Sequence, residues 1–239
     1  GKGGVGKTTT CINLAAALHE LGERNVIIDT NLNNANLSIQ LGLQYIPITI
    51  QDALVGEVNI LQTIRIHPTG LRVIPAALSP DKIDIEFSGL REILEPLNQT
   101  TLLDFPPGIS QSIISLMKAC DEILIVTNPE MTAITDALKT IEAVSKLKKV
   151  VSGIILNKVR KDRYELSVKE VEMMCEIPVI AQIPKDEDIR KANFHNLPVV
   201  YYKPYSKSSI KYFQLAARII GKRFSLPRFF SIKKMFRIF

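Results

Sequence analysis

The chain has 239 residues, 46% hydrophobic and 23% charged, enough to bury a full core within one domain. Three well-separated cysteines, Cys11, Cys120 and Cys175, with no C-x-x-C pair, exclude a disulfide scaffold and read as small buried apolar residues of a reducing compartment; no apolar run approaches the ~18 residues of a membrane span. The formal charge of +6 is local: seven of the 30 Lys and Arg fall from Arg218 onward, where there is no Asp or Glu, so residues 1–217 carry 23 basic against 24 acidic side chains. A nucleic-acid-binding domain more often spreads basic residues over a folded face, so no nucleic acid is expected as a partner.

The first element is a phosphate-binding loop. Gly1-Lys2-Gly3-Gly4-Val5-Gly6-Lys7-Thr8 fits G-x-x-x-x-G-K-[ST] and places a second lysine directly after the first glycine. In such a loop, glycines let consecutive backbone N–H groups close around a β-phosphate, Lys7 reaches the β/γ oxygens, and the Thr8 hydroxyl ligates Mg²⁺. The alternative, a structural glycine-rich turn, is weakened because the loop runs into an apolar-periodic helix, predicted at 8–21, whose dipole adds to the site. A loop of this kind is fed by a strand inside a parallel sheet, so roughly eight to ten further residues are expected upstream of Gly1.

Downstream, short β-branched runs alternate with helical patterns. Strands are predicted at 25–29, 71–75, 100–104, 122–127, 150–156 and 178–182, and helices at 84–97, 109–119, 132–147, 165–175 and 206–220. Most strands are near-continuous apolar runs, which suits burial on both faces. The fold class is α/β: a P-loop NTPase with a doubly wound, mostly parallel sheet and helices on both faces. Carboxylates at strand ends face the ligand crevice of such a sheet. Asp29 and Asp104 qualify. Asp104, followed by Phe105-Pro106-Pro107-Gly108, has the layout of a Walker B aspartate that holds Mg²⁺ through water; the competing reading makes it a cap for the next helix. His19, His67 and His195 read as surface or satisfied core residues, and Lys203, Lys207 and Lys211 as a solvated face.

Composition breaks near Gly221, dividing an ATPase domain at 1–220 from a tail at 221–239. Ser225 or Leu226 caps a helix with Pro227 in its first turn. At 100° per residue Phe229, Ile232, Met235, Phe236 and Phe239 fall within roughly 120°, opposite Lys233, Lys234 and Arg237. About twelve residues span ~18 Å, too short to cross a bilayer and suited to lying on anionic lipid. The competing reading packs these phenylalanines back on the domain as a last core helix.

Taken with Gly1 to Thr9, the stretches Ile28-Asp29, Asn36-Leu37-Ser38-Ile39-Gln40-Leu41-Gly42, Leu103 to Gly108, Thr127-Asn128-Pro129-Glu130, Leu156-Asn157-Lys158 and Ile183-Pro184-Lys185-Asp186 make the chain resemble the deviant Walker A ATPases of the MinD/ParA group, on its MinD side and in its archaeal wording. The resemblance covers nearly the whole chain. It implies ATP and Mg²⁺ as cofactors, a homodimer in the ATP state in which Lys2 reaches the partner's phosphates, Asn157 beside the adenine with Pro184 next to it, and a C-terminal membrane helix. It also implies a cytoplasmic protein peripheral to the inner face of the cell membrane, working with an activator or cargo protein in placing division or motility machinery. One departure is sharp: the family's second aspartate, two residues after Asp29, is Asn31 here. An amide can hold water but cannot take its proton, and losing a general base typically costs ~10²–10⁴-fold, so hydrolysis is expected to be slow; an engineered trap of the ATP state is the alternative origin of Asn31. Three competitors remain: a non-hydrolysing switch, a DNA-partition ATPase that the near-neutral core disfavours, and an Fe–S carrier that would need paired cysteines.

Overall fold

The computed structural model describes residues 2–32, 34–43, 45–77 and 87–225. Gly1 and the amphipathic tail at 226–239 lie outside the described residues. In chain order the elements are α1 (Lys7–Glu20), β1 (Asn25–Asp29), α2 (Asn36–Gln40), α3 (Ile50–Leu54), β2 (Arg65–Ile66), β3 (Arg72–Ile74), α4 (Leu90–Leu94), β4 (Thr100–Asp104), α5 (Gln111–Ala119), β5 (Glu122–Thr127), α6 (Met131–Lys146), β6 (Val150–Val159), α7 (Val168–Cys175), β7 (Val179–Pro184), α8 (Glu187–Phe194), α9 (Val199–Tyr202) and α10 (Lys207–Ile219).

The strands form two hydrogen-bonded groups, β2-β3-β1-β4 and β5-β6-β7. All pairings are parallel except β2 with β3. Alternation along β1 explains the three layers: Val26 and Ile28 pack with α3, α4 and α5, whereas Ile27 points to the opposite layer of α1, α2, α9 and α10. That second layer spans both strand groups, because Ile155 of β6 and Ile183 of β7 join the same cluster as Ile27 and Val73. A third cluster seats α5, α6 and α7 on Ile123, Ile125, Ile154 and Leu156. Trimming a fully buried member such as Leu18 or Ile27 to alanine would cost about 2–5 kcal/mol.

Between β4 and β5 lies a slot of about 960 Å³, lined by residues 100–104 and 122–126 and roofed by Lys7, Thr10, Cys11, Leu14 and Leu18 of α1. The slot also corrects the cysteine expectation: Cys175 is buried, but Cys11 and Cys120 are only partly so, because both border it; all three are free thiols. Helix α4 is shorter than the pattern at 84–97, since Pro96 cannot continue an α-helix and residues 95–97 form a 3₁₀ turn instead; residues 84–86 are outside those described. Among the described residues no helix is long and apolar enough to cross a membrane.

Candidate functional site

Several helices and strands meet at the carboxyl ends of β1, β4 and β6. The loop ahead of α1 turns through two left-handed glycines, Gly4 (φ 79°) and Gly6 (φ 95°). A Cβ on Gly6 would collide with the Asn157 side-chain amide, so both conformation and space demand glycine there. Helix α1 starts straight after Gly6 with no side-chain cap and no acidic residue in its first turn, whereas α5, α7, α8 and α10 are capped by Ser110, Ser167, Asp186 and Ser206. Its leading N–H groups are therefore open to an external anion.

Three carbonyls of the loop are held by side chains. Lys7 Nζ donates to the Lys2 carbonyl at 3.3 Å, Lys158 Nζ to Gly4 O at 2.6 Å, and Asn157 Nδ2 to Val5 O at 2.8 Å. Asn128, at the end of β5, in turn donates to the Asn157 carbonyl at 2.9 Å. Lys2 lies against its own chain, with Nζ 3.3 Å from Thr132 Oγ1 at the start of α6. The Thr9 hydroxyl bonds Gln40 of α2 at 3.3 Å. Pro184 pairs in the sheet with Val159, two positions past Asn157.

Asp29 and Asp104 close the other side, directly paired on adjacent parallel strands. Both Asp29 oxygens accept backbone N–H groups, from Asn31 at 3.0 Å and Leu37 at 3.2 Å, so the carboxylate spans the turn that begins with Asn31. Burial, and next the charge of Asp104, push Asp29 up to about 7. Asp104 is pushed up to about 6 by burial, against the pull of the Thr8 hydroxyl and the Lys7 charge. Two such close carboxyls titrate as a pair, and both directions mean that the site resists holding two bare negative charges. Lys7 is lowered by burial, only partly offset by Asp104. Asp104 Oδ1 is buried with no hydrogen-bond partner. It is not a helix cap, since Ser110 caps α5.

These features fit a nucleoside phosphate with a divalent cation: a glycine loop whose carbonyls are held by side chains, an uncapped helix start, a threonine hydroxyl beside an aspartate, and a buried carboxylate oxygen in want of a partner. Sequence reasoning singled out the loop, Asp29, Asn31, Asp104, Asn157 and Pro184. It gave no individual role to Lys158, Asn128 or Thr132: the first two stood only within stretches that carry the family resemblance, and Thr132 was not singled out. The three histidines lie apart from this cluster. His67 is buried and bonded through Nδ1 to Thr69 at 2.7 Å, a satisfied core residue.

Comparison with known proteins gives a consistent result. Residues 1–199 match the model of the CobQ/CobB/MinD/ParA nucleotide binding domain. An ATP-binding protein of Methanocaldococcus jannaschii, itself uncharacterised, is 34% identical over 232 residues, covering 94% of this chain and 86% of that protein. The septum site-determining protein MinD of Pyrococcus horikoshii, solved with Mg-ADP, superposes with a TM-score of 0.85 at 31% identity, covering 92% of each chain. A MinC:MinD cell division complex of Aquifex aeolicus gives 0.83 at 28% identity, covering 95% of each chain.

Proposed function

The chain belongs to the CobQ/CobB/MinD/ParA nucleotide-binding family, and on that premise we propose that it is a MinD-like ATP-dependent switch that pairs on ATP, settles on the membrane, and leaves it after hydrolysis. The observation that carries the reading is the juxtaposition of the lysine-bearing loop and uncapped α1 with the orphaned oxygen of Asp104. Backbone N–H groups of residues 3–8 and the Lys7 ammonium hold the phosphates. Thr8 and Asp104 would hold the Mg²⁺, which would supply neutralisation of phosphate charge. Asn157 and Pro184 flank the base. Asp29 pins the turn that carries Asn31, and Asn31 positions water without accepting its proton, which makes turnover slow.

Lys2 swings from Thr132 to a partner's phosphates in a face-to-face homodimer. Pairing brings together two tails, whose Phe229, Ile232, Phe236 and Phe239 insert while Lys233, Lys234 and Arg237 meet anionic headgroups. One short anchor binds marginally, whereas two joined anchors act at high effective concentration. The chain's likeness to a septum site-determining protein and to a cell division complex supports a role in spatial positioning, on the inner face of the membrane and with an activator or cargo protein. Asn31 favours a second reading, a scaffold that binds ATP without turning it over. Co-sedimentation with anionic liposomes in ATP, ADP or no nucleotide, with phosphate release followed in parallel, tests both. Pelleting that is indifferent to nucleotide overturns the switch, and ATP-dependent pelleting without phosphate release selects the scaffold.

A further inference from the structure

Lys158, the ninth of the ten residues of β6, does something unusual for a strand. Pairing of β6 with β7 shifts register between Leu156 and Val159, and within that shift Lys158 adopts φ 59°, a left-handed conformation that non-glycine residues rarely take. Irregularities of this kind re-aim side chains beside functional sites. Here the effect is to send Lys158 back across the loop, where its ammonium donates to Gly4 O at 2.6 Å while its neighbour Asn157 holds Val5 O. Among the described residues Lys158 makes no ion pair, so the Gly4 carbonyl is what its charge is anchored on.

A trans peptide points its C=O and N–H in opposite directions. Holding Gly4 O toward Lys158 therefore turns the Val5 N–H the opposite way, and holding Val5 O toward Asn157 does the same for the Gly6 N–H. We infer that Lys158 is a positioning residue for the phosphate loop: it fixes the Gly4–Val5 peptide so that the loop meets a nucleoside di- or triphosphate with its N–H groups already aligned. The inference rests on the nucleotide reading proposed above. It adds a coupling, because Asn157 and Lys158 are consecutive and tie the wall expected to hold the base to the loop expected to hold the β-phosphate. Preorganised donors are effective because they need no reorientation when the anion arrives.

The test compares wild type with Lys158→Met, which keeps the stem and removes the donor, and Lys158→Arg, which keeps donor and charge. Affinities for Mg-ADP and for AMP are measured by calorimetry, with melting temperature and the amide resonance of Val5 followed in the ligand-free protein. A charge-assisted hydrogen bond of this kind leads us to expect roughly a ten-fold loss of Mg-ADP affinity in Lys158→Met, little change for AMP, a displaced Val5 resonance, and substantial recovery in Lys158→Arg. Unchanged Mg-ADP affinity, or equal losses for Mg-ADP and AMP, overturns it. Should Lys158→Met fail to fold, Lys158→Gln replaces it, with the same two ligands and the same readings. A wild-type protein that binds no nucleotide instead defeats the underlying functional reading, and the Val5 resonance still reports whether Lys158 sets the loop.

Discussion

Asp29 and Asp104 occupy the same level on neighbouring parallel strands, the last residue of β1 beside the last residue of β4. Side chains at one level of a parallel pair lie on the same face of the sheet, so two buried carboxyls share a space that no described side chain fully neutralises. A divalent cation resolves that conflict.

The pair makes ligand-free stability depend on pH with a definite sign. Both carboxyls titrate higher in the fold than in an unfolded chain, at about 7 for Asp29 and about 6 for Asp104 against 3.8. Their contribution is thus complete below about 3.8, falls as pH climbs from there, and is gone above about 7. Mg²⁺ prefers the deprotonated pair, so with Mg²⁺ and ADP present the rise in melting temperature should be larger at about pH 8 than at about pH 5.5. Asp104→Asn should flatten this difference. Equal stabilisation at both pH values in the wild type would speak against a cation at this pair.

Asn31→Asp restores a proton-accepting carboxylate without changing side-chain size. ATP turnover, followed as phosphate release, should rise at least ~10-fold. A flat rate would mean that water is already positioned well enough, or that residue 31 stays away from the γ-phosphate.

The two loop lysines should separate binding from pairing. Lys7→Ala removes charge from the centre of the loop and should abolish ATP binding by calorimetry. Among the described residues the Lys2 side chain is held by a 3.3 Å contact with Thr132, which Lys2→Ala removes while leaving the Lys2 carbonyl to Lys7, so the variant should keep monomer affinity and lose the ATP-dependent dimer seen by light scattering. An undiminished dimer fraction in Lys2→Ala removes the main support for a shared site.

Gly6→Ala should eliminate nucleotide binding and destabilise the fold by about 1–2 kcal/mol from the left-handed backbone alone, with a further cost where the new methyl meets Asn157. Adding Asn157→Ala should recover part of the second cost but none of the first. Denaturant unfolding of both singles and the double gives this coupling; strictly additive losses would mean the two side chains do not touch.

Deleting residues 226–239 should abolish liposome binding and spare ATP affinity. Phe236→Glu should do nearly as much, by placing a charge inside the apolar arc. Higher salt should weaken wild-type binding through screening without eliminating it. A truncated protein that melts several degrees lower yet still pellets with anionic vesicles would instead identify the tail as a core helix.

Much of this was legible because strong apolar runs leave little choice. The strands at 25–29, 100–104 and 122–127 are read directly from β-branched stretches, and Asp29 and Asp104 follow from their place at the ends. Strand β6 runs three residues past the expected 156, since polar Asn157 and Lys158 look like a loop until the phosphate loop supplies their partners. Helices α2, α3, α8 and α9 escaped notice for a related reason: at four to eight residues, they are too short to show a helical period, and tertiary packing holds them. The side chains that hold the loop, Lys158 and Asn157, and the Thr132 that holds Lys2, come from far along the chain, and no local pattern announces such contacts.

That distance has a consequence for synthesis. The groups that fix the loop carbonyls are 152 and 154 residues downstream of them. At about 5–20 residues per second, the ribosome delivers β6 roughly 8–30 s after the loop itself. Until then the glycines can sample many shapes, and ATP, however abundant, finds no arranged ring of donors to grip. Nucleotide capture thus reports that the chain has been made and assembled at least as far as β6, so the ligand does not guide its early collapse.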